Sequence, residues 1–455
     1  MTEQRAKREG GKKVVVVGGV AGGMSTASKA KRVDPTLDIT VYEKSGYISY
    51  GACGMPYVIS GEIESLDDLV ARTPDEMAEK GVTVHVHHEV VSIDPDAKTV
   101  QVKNLETDET HTTPYDVLVL ATGAAAVRPD LPGIDLEGVH VLRRLEDAAA
   151  VQRTLKNGAK EAVIIGGSYI GLELAEALVK AGLNVRVVEQ QGSLLGNFGP
   201  LPSKLALKEV QKNGVTVHLG TEVTALEGDA RVSVVVTAAG RFPADLVLVA
   251  VGARPNSMLA KTLKLNLGPS DAVLTDDRLR TSRRDIYAVG DVTATHHLVT
   301  GKPAWIPLGD TANKQGRTLG NLLGGQSARF KGITGTAITK VFDRAFATTG
   351  LTLEAAQDAG FDAEGHDIET SDHAGYYPDH RPLNVTLVWE RGTQRLLGAQ
   401  IVGYGDAVKR IDVLATVLSQ HGTLQDLADL DLAYAPPFSS AWDPVLVAAN
   451  VALGK

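Results

Sequence analysis

The hydrophobic positions of this chain fall into short continuous runs, each of which ends in glycine or another small residue. The first run, Lys13–Val17, leads into a glycine-rich turn and a helical stretch that ends near Arg32. Ile39–Glu43 then supplies a second run. Continuous apolar runs of this kind are typical of parallel strands that are buried on both faces. The pattern therefore predicts an α/β unit built on a parallel sheet.

The same order of strand, turn, helix and strand returns later in the chain. Ala162–Ile165 leads into a second glycine-rich turn, a helix that ends near Ala181 and a strand that ends at Glu189. From about Phe330 these turns stop, and short strands such as Leu383–Trp389 alternate with helices such as Arg410–Gln420. Three further apolar runs that close in small-residue turns are Val117–Ala124, Leu246–Asn256 and Asp285–Asp291.

The first glycine-rich turn has the composition of a dinucleotide-binding fingerprint. Gly18, Ala21 and Gly23 surround Val20, and Glu43 closes the next strand 20 positions after Gly23. Small residues let backbone N–H groups approach a pyrophosphate, and the carboxylate accepts hydrogen bonds from a ribose diol. Val20 occupies the position of the middle glycine, and a glycine-rich turn without a ligand is the alternative.

The second turn runs from Gly166 to Gly171, and Glu189 ends the strand that follows. Two copies of the pattern in one chain imply two dinucleotides. A carboxylate pairs with the free 2′-hydroxyl of NADH and repels the 2′-phosphate of NADPH, so Glu189 favours NADH. Arg186 lies within the strand and weakens this preference only slightly, so NADPH stays an open alternative.

Composition excludes several functional classes. A net charge of −9 and a pI near 5.8 argue against nonspecific binding to nucleic acid or to anionic membranes. The sequence contains neither a signal-peptide core nor an apolar run of about 18 residues, so we expect a cytoplasmic protein without membrane contact. The length allows roughly three domains.

Cys53 is the only cysteine among the 455 residues. It cannot form an internal disulfide, so a sulfur or oxygen bonded to it must come from elsewhere, and a single cysteine fits a reducing compartment. Pro56 suits the first turn of a helix, which places the Cys53 sulfur near free N–H groups expected to lower its pKa. A buried, inert cysteine is the alternative.

In their order along the chain, these segments resemble the FAD-dependent pyridine nucleotide-disulfide oxidoreductases of the single-cysteine branch. The resemblance also rests on Ala121–Gly123, Gly252–Asn256 and Ala288–Asp291, and it covers nearly the whole chain. It implies an α/β protein with two Rossmann-like dinucleotide-binding domains and a C-terminal α+β dimerisation domain, as in glutathione reductase. The implied domains are 1–125 with 253–327 for FAD, 126–252 for NAD(P)H and 328–455 for dimerisation.

The resemblance also implies which residues bind the cofactors. FAD would contact Glu43 with its adenosine ribose and Asp291 with its ribityl chain, and Tyr169 would be the gate over the flavin. A helix that opens near Leu308 would point its N-terminus at the pyrimidine end of the flavin. The FAD residues are Gly18, Val20, Ala21, Gly23, Glu43, Lys44, Thr122, Gly123, Asp291 and Ala312, and the NADH residues are Gly166, Ser168, Tyr169, Ile170, Gly171, Glu189 and Gly252.

The segment from Cys53 to Tyr57 is similar to that of coenzyme A-disulfide reductases, which carry Cys-x-x-Pro-Tyr. In that branch two tyrosine segments reach across the dimer to the cysteine of the other subunit, and the matching residues here are Tyr376 and Tyr434. A phenol there would donate a proton or a hydrogen bond to a departing thiolate. The resemblance implies a homodimer in which Cys53, Tyr376 and Tyr434 are catalytic and coenzyme A forms the mixed disulfide.

Coenzyme A carries several phosphates, so cations are expected to converge near Cys53. Lys29 and Arg32 share one face of the first helix, where a solvated surface is the alternative interpretation. Two departures from the branch concern the substrate, because Ala52 replaces an asparagine and Trp442 replaces a lysine. The candidate substrate contacts are Ser25, Lys29, Arg32, Ser49, Lys80 and Trp442.

Three other functions stay open. In an NADH oxidase or peroxidase, Cys53 would cycle through a sulfenic acid. In a persulfide or polysulfide reductase, the acceptor would be a different sulfur compound. In a redox-sensing flavoprotein, oxidised Cys53 would bind a partner with negligible turnover.

His85, His87 and His88 lie close together in the sequence. Their segment is expected to be one alternating strand with His85 and His87 on the same face, and no metal site is expected there.

Overall fold

The computed structural model describes residues 11–454 and contains two five-stranded parallel sheets. In each sheet the central strand is the one that precedes a glycine-rich turn, and its neighbour leads to Glu43 or Glu189. In spatial order the first sheet contains Ile286–Ala288, Val117–Leu120, Lys13–Val17, Asp38–Tyr42 and Val82–His85, and the second contains Thr216–His218, Asn184–Val188, Glu161–Ile165, Leu246–Val249 and Val139–His140.

The valine run of the first sheet is buried on both faces, as predicted. Val14 and Val16 pack with Ala27 of the following helix, whereas Val15 and Val17 pack in a separate cluster on the opposite face. Because successive side chains of a strand point to opposite faces, a strand covered on both sides must be apolar throughout.

Smaller sheets extend this framework. Two of the three-stranded sheets are antiparallel. A short two-stranded ribbon pairs residues just after Thr122 with residues just before Asn256, and Thr122 is also hydrogen-bonded to Asn256. The strands are His88–Asp94, Thr99–Asn104 and Thr110–Pro114; Val223–Glu227, Val234–Thr237 and Gly240–Pro243; Ala124–Ala126 with Ala253–Pro255; and Val273–Leu274, Thr293–His296 and Pro303–Ala304.

The C-terminal part forms a five-stranded antiparallel sheet, which gives this region the predicted α+β character. Its apolar core combines strand residues such as Val385 and Ile401 with Leu414 and Leu418 of a covering helix. In spatial order the strands are Ala337–Val341, Arg344–Gly350, Leu396–Tyr404, Pro382–Glu390 and Ala363–Ser371.

Helices of very different lengths connect these strands, and the longest of them, α8, follows the strand Pro303–Ala304. In chain order the helices are α1 Ala21–Val33, α2 Met55–Ser60, α3 Pro74–Glu79, α4 Leu145–Lys156, α5 Tyr169–Lys180, α6 Pro200–Lys212, α7 Met258–Thr262, α8 Gly309–Leu323, α9 Leu353–Asp358, α10 Ile411–Ser419, α11 Leu424–Ala428 and α12 Pro444–Ala452. None of these described helices is long and apolar enough to span a membrane.

The prediction of one alternating strand through the histidines is wrong. The first strand ends at His85, His87 takes a left-handed conformation with φ of +54°, and a new strand begins at His88. This turn brings the rings of His85 and His88 to a centroid distance of 5.2 Å, beside Tyr42. Across residues 11–454, no group of three or more His, Cys, Asp or Glu side chains is arranged to hold a metal.

Candidate active site

The first glycine-rich turn is shaped by Gly18, which has a φ of +107°. A Cβ atom at this position would lie 2.2 Å from the carbonyl oxygen of Ala121, so only glycine fits. Val20 precedes α1 and offers no side-chain hydrogen bond to the helix. The first N–H groups of α1 therefore have no side-chain cap, which suits them to bind an anion.

Glu43 is buried directly beside this turn. Its Oε2 atom accepts the N–H of Gly19 at 2.7 Å, and Oε1 accepts the N–H of Ser45 at 2.8 Å. A carboxylate has about four lone-pair sites, so Glu43 keeps acceptor capacity for ribose hydroxyls. The neighbouring Lys44 is half exposed and lies 3.8 Å from Glu89.

The second turn repeats this geometry around Gly166, whose φ is +109°. Glu189 accepts the N–H of Gly167 at 2.5 Å, just as Glu43 accepts that of Gly19. Ser168 differs from Val20 because it caps the following helix: its hydroxyl oxygen accepts the N–H of Gly171 at 3.5 Å. Ile170 lies in the first turn of this helix, α5. The two turns are structural equivalents with different caps.

The side chain of Arg186 lies over the ring of Phe242. Its guanidinium carbon lies 4.8 Å from the ring centre of Phe242, which also stacks on His218 at 4.4 Å. The two residues that follow Glu189 are Gln190 and Gln191, which are neutral. The strand end therefore presents a carboxylate without an adjacent cation.

Hydrogen bonds tie together the two segments that lie between the parallel sheets. The Thr122 hydroxyl donates to the carbonyl oxygen of Asn256 at 2.8 Å, and the Asn256 side chain donates to the carbonyl oxygen of Thr122 at 2.8 Å. Gly123 and Gly252 both have positive φ values, +66° and +116°. These turns end strands that are adjacent to the two fingerprints.

Asp291 lies in a short turn of helix, Gly290–Val292, and is mostly buried. Its carboxylate accepts a hydrogen bond from the Arg143 guanidinium, which also donates to the carbonyl oxygen of Ala124 at 3.2 Å. A Cβ atom on Gly290 would lie 3.5 Å from the Cβ of Ala312, at the start of α8. The N-terminus of α8 and Asp291 therefore lie side by side.

Cys53 lies in a turn of 3₁₀ helix, Ala52–Gly54, directly before α2, and its side chain is exposed. Pro56 occupies the first turn of α2, as predicted. Desolvation and the Glu173 carboxylate nevertheless raise the pKa of the Cys53 thiol, and Arg143 and a backbone N–H offset them only in part. The predicted lowering of this pKa is wrong, because desolvation and the nearby carboxylates outweigh the groups that favour the thiolate.

Tyr169 and Glu173 lie one turn apart on α5, beside Cys53. Burial raises the pKa of Glu173 to about 7, and the Thr339 hydroxyl donates to its carboxylate at 2.7 Å. Burial and the Glu173 carboxylate in turn raise the pKa of Tyr169. The Glu173 carboxylate therefore raises the pKa of both Cys53 and Tyr169.

Tyr376 and Tyr434 lie far apart in the sequence, yet their hydroxyl oxygens are 3.0 Å apart. They occupy two loops of the C-terminal part and are 76 % and 50 % exposed. The hydrogen bond between the two hydroxyl groups is the first cause of a raised pKa for Tyr376, because it holds the neutral phenol. The structure thus brings both predicted tyrosines together on a solvent-exposed surface, where Trp442 is also 61 % exposed.

Four of the predicted substrate contacts cluster around α1. Ser25, Lys29 and Arg32 follow one another on this helix, and Ser49 donates its backbone N–H to the carbonyl oxygen of Gly19 at 2.9 Å. Lys80 ends α3. Gly81, the next residue, lies beside the side chain of Lys31 of α1, so Lys80 is near the far end of the same helix.

Comparison with known protein families decides the identity of the chain. Residues 12–316 match the pyridine nucleotide-disulphide oxidoreductases, and residues 336–445 match the dimerisation domain of the same family. The chain belongs to the pyridine nucleotide-disulphide oxidoreductases.

Several relatives of this oxidoreductase are similar over nearly their full length. A protein of Pyrococcus horikoshii named NAD(P)H coenzyme A polysulfide/persulfide reductase is 38 % identical, covering 97 % of this chain and 98 % of the relative. An NADH oxidase of Enterococcus faecalis is 34 % identical, with coverage of 97 % and 99 %. A coenzyme A disulfide reductase of Staphylococcus epidermidis is 32 % identical, with coverage of 95 % and 97 %.

A solved structure of an NAD-dependent persulfide reductase from A. fulgidus has the same architecture as this oxidoreductase. The TM-score is 0.95 at 39 % identity, and the match covers 97 % of this chain and 83 % of the other. The chain is thus an NAD(P)H-dependent flavin oxidoreductase of the glutathione-reductase-like fold, as the sequence predicted.

The observed residues fit the cofactors of a pyridine nucleotide-disulphide oxidoreductase. The uncapped N-terminus of α1 suits a pyrophosphate, and Glu43 offers free acceptor sites beside it.

Three residues of this region could not be identified from the sequence: Arg143, Glu173 and Thr339. Each acquires its role from a partner distant in sequence, with Arg143 and Asp291 separated by 148 positions and Glu173 and Thr339 by 166.

Proposed function

We propose that the protein is a homodimeric flavoprotein that uses NADH to reduce the sulfur–sulfur bond of a coenzyme A disulfide or persulfide, with Cys53 as the redox thiol. The observation that carries this proposal is the exposed Cys53, the only thiol of the chain, within electrostatic reach of Glu173 on α5, Arg143 and Asp291. The names of the Pyrococcus horikoshii and Staphylococcus epidermidis relatives support coenzyme A as the thiol.

The residues for FAD lie around the first turn and Asp291. Backbone N–H groups of Gly18 to Gly23 would hold the pyrophosphate, Glu43 the ribose, and Asp291 the ribityl chain, and Arg143 would keep the Asp291 carboxylate in place. When bound, FAD accepts a hydride from the nicotinamide and passes two electrons to a sulfur–sulfur bond. The other proposed FAD contacts are Val20, Ala21, Lys44, Thr122, Gly123 and Ala312.

The second turn would hold NADH. Glu189 ends its strand with two neutral residues after it, and the guanidinium of Arg186 is stacked on Phe242, so neither supplies a positive group directly after Glu189 for a 2′-phosphate. This supports NADH over NADPH. The proposed contacts are Gly166, Ser168, Tyr169, Ile170, Gly171, Glu189 and Gly252.

The thiol chemistry follows from Cys53. Its thiolate attacks R–S–S–R, forms Cys53–S–S–R and releases one R–S⁻. Two electrons and one proton then convert Cys53–S–S–R into the Cys53 thiolate and R–SH. The hydrogen-bonded phenols of Tyr376 and Tyr434 in a second copy of the chain would donate a proton or hydrogen bond to the departing thiolate.

The proposed division of the chain follows the same reading. The FAD-binding domain would comprise residues 1–125 and 253–327, and the NAD(P)H-binding domain residues 126–252. The dimerisation domain would comprise residues 328–455. The match of residues 336–445 to the dimerisation domain supports the last of these ranges.

The test is NADH consumption by the FAD-loaded protein without oxygen. We expect rapid consumption only when coenzyme A disulfide or coenzyme A persulfide is added, and none with Cys53→Ser. Rapid consumption with air alone would instead favour the NADH oxidase activity named for the Enterococcus faecalis relative. Negligible turnover with every acceptor would favour a redox sensor.

A further inference from the structure

A second buried carboxylate, Glu176, lies one turn after Glu173 on α5 and is only 4 % exposed. It accepts the backbone N–H of Phe342 at 2.7 Å and hydrogen bonds from the ammonium groups of Lys340 and Lys180, the latter at 2.8 Å. A buried carboxylate is costly unless donors of this kind surround it. Glu176 therefore ties together the elements that supply its donors.

Two of these donors belong to one hairpin of the C-terminal part. The strands Ala337–Val341 and Arg344–Gly350 form this hairpin, which we call the 337–350 hairpin, and Phe342 lies at its tip. Phe342 has a φ of +53° and a buried side chain, in the same apolar core as Met55 of α2. A bulky residue in this conformation costs about 1–3 kcal/mol and persists only where its surroundings hold it. The tip is thus held both by the apolar core and by the carboxylate of α5.

Lys180 carries the network from α5 to α2. Its ammonium group contacts Glu176 and also donates to Glu62 at 2.9 Å. Glu62 follows directly after α2, where the N–H of Ile63 donates to the carbonyl oxygen of Tyr57 at 3.0 Å. A chain of ion pairs therefore joins the end of α2 to the 337–350 hairpin.

Helices α2 and α5 pack against each other in the same direction. Cys53 directly precedes α2 and lies close enough to Glu173, in the first half of α5, for that carboxylate to raise its pKa. At the other end of the two helices, Glu62 contacts Lys180, the last residue of α5. The six residues of α2 span about 9 Å at a rise of about 1.5 Å per residue, so a displacement at one end reaches the other.

We propose that Lys340 is a positioning residue for Cys53. Through Glu176, Lys180 and Glu62 it holds α2 against α5, and this keeps the thiol in a fixed place. The inference rests on the proposed function, and it gives the C-terminal part a role in the reaction of the thiol in its own subunit.

The first test is kinetic and uses Lys340→Met in the FAD-loaded enzyme. A reacting group that is misplaced by about 1 Å costs about a hundredfold in rate. For a partly loosened α2 we expect kcat for coenzyme A disulfide to fall about tenfold, with an unchanged rate of flavin reduction by NADH. Lys340→Arg should recover most of the loss, because a guanidinium binds the same carboxylate. Lys409→Met is the matched control, since Lys409 pairs with Asp412 on an exposed surface of the C-terminal part, and its kcat should not change.

The second test is the pH dependence of Cys53 alkylation by iodoacetamide, which needs no acceptor. Desolvation is the first cause of the raised pKa of the thiol, so a released α2 should expose Cys53 and move the alkylation midpoint to lower pH. We expect this shift in Lys340→Met and little of it in Lys340→Arg. Glu62→Gln, at a partly exposed residue, breaks the same chain of ion pairs from the side of α2 and should shift the midpoint in the same direction.

An alkylation midpoint in Lys340→Met that is unchanged or higher than in the wild-type protein would overturn the proposal, even if the thermal midpoint fell, because Lys340 would then only stabilise the fold. A shift of equal size in Lys409→Met would also overturn it. If Lys340→Met does not fold, the Glu62→Gln midpoint decides, and an unchanged value contradicts the inference. If the wild-type enzyme reduces neither coenzyme A disulfide nor coenzyme A persulfide, the proposed function fails separately, and the alkylation profiles still decide whether Lys340 positions Cys53.

Discussion

Thr339 of the C-terminal sheet donates its hydroxyl hydrogen to the Glu173 carboxylate of α5 at 2.7 Å. This contact joins the second nucleotide turn to the C-terminal part of the molecule. Despite the hydrogen bond, burial raises the pKa of Glu173 from 4.5 to about 7. Glu173 therefore changes its charge near neutral pH, beside Cys53.

The raised pKa of Glu173 predicts a pH-dependent stability. Between about pH 4.5 and 7 the folded protein binds more protons at Glu173 than the unfolded chain, so stability falls as pH rises through this range. Above pH 7 the buried carboxylate destabilises the fold. Glu173→Gln should therefore raise the thermal midpoint of the FAD-free protein at pH 8, and this gain should vanish at pH 4. Thermal scans at both pH values measure it, and an equal gain at both would contradict the assignment.

Glu173 also affects the reactivity of Cys53. Its carboxylate is the second cause, after desolvation, of the raised pKa of the thiol. Glu173→Gln should lower that pKa and increase the thiolate fraction at pH 8, where the carboxylate of the wild-type protein is charged. The rate of Cys53 alkylation by iodoacetamide against pH gives the pKa directly. A midpoint that stays the same or moves upward would be inconsistent with this electrostatic influence.

The paired phenols predict a loss confined to the sulfur chemistry. Tyr376→Phe and Tyr434→Phe should each lower kcat for disulfide reduction by about a hundredfold, because they remove a proton donor. Flavin reduction by NADH should not change. Tyr377→Phe is the control, since its hydroxyl makes no contact with the Tyr376 and Tyr434 pair among the described hydrogen bonds. If Tyr377→Phe lowered kcat for disulfide reduction more than Tyr376→Phe or Tyr434→Phe did, the proton donor would not be the Tyr376 and Tyr434 pair.

Glu189 predicts the choice of nicotinamide donor. Glu189→Gln removes the charge that repels a 2′-phosphate, so the ratio of kcat/KM for NADH to that for NADPH should fall about tenfold. Gln190→Ala is the neighbouring control and should leave this ratio unchanged. Steady-state kinetics with both donors measure it, and an unchanged ratio in Glu189→Gln would mean that discrimination arises elsewhere.

The local features of this fold could be predicted from the sequence. The valine strand, the turn at Gly18 and the acid at Glu43 act within one strand–turn–helix unit, so their spacing carries the information. The histidine segment shows the limit of this reasoning, because the left-handed conformation of His87 ends one strand and starts another without a glycine to mark it.

The electrostatics of the site could not be predicted in the same way. The pKa of Cys53 depends on Glu173 and Arg143, which the fold brings in from other elements. The nearby Pro56 predicted a lowered pKa of Cys53, and desolvation of the thiol together with the Glu173 carboxylate raises it instead. Tyr376 and Tyr434 became candidates only through a family resemblance, since no spacing rule connects two loops of the C-terminal part, and the hydrogen bond between them is seen only in the structure.

The central claim is that Cys53 carries a small-molecule thiol as a mixed disulfide. Intact-mass measurement of protein purified without added thiols tests it most directly. We predict an added mass of one coenzyme A on Cys53, lost on treatment with a reductant and absent from Cys53→Ser. An added mass of one oxygen atom, or a free Cys53 that coenzyme A disulfide does not modify, would contradict the account.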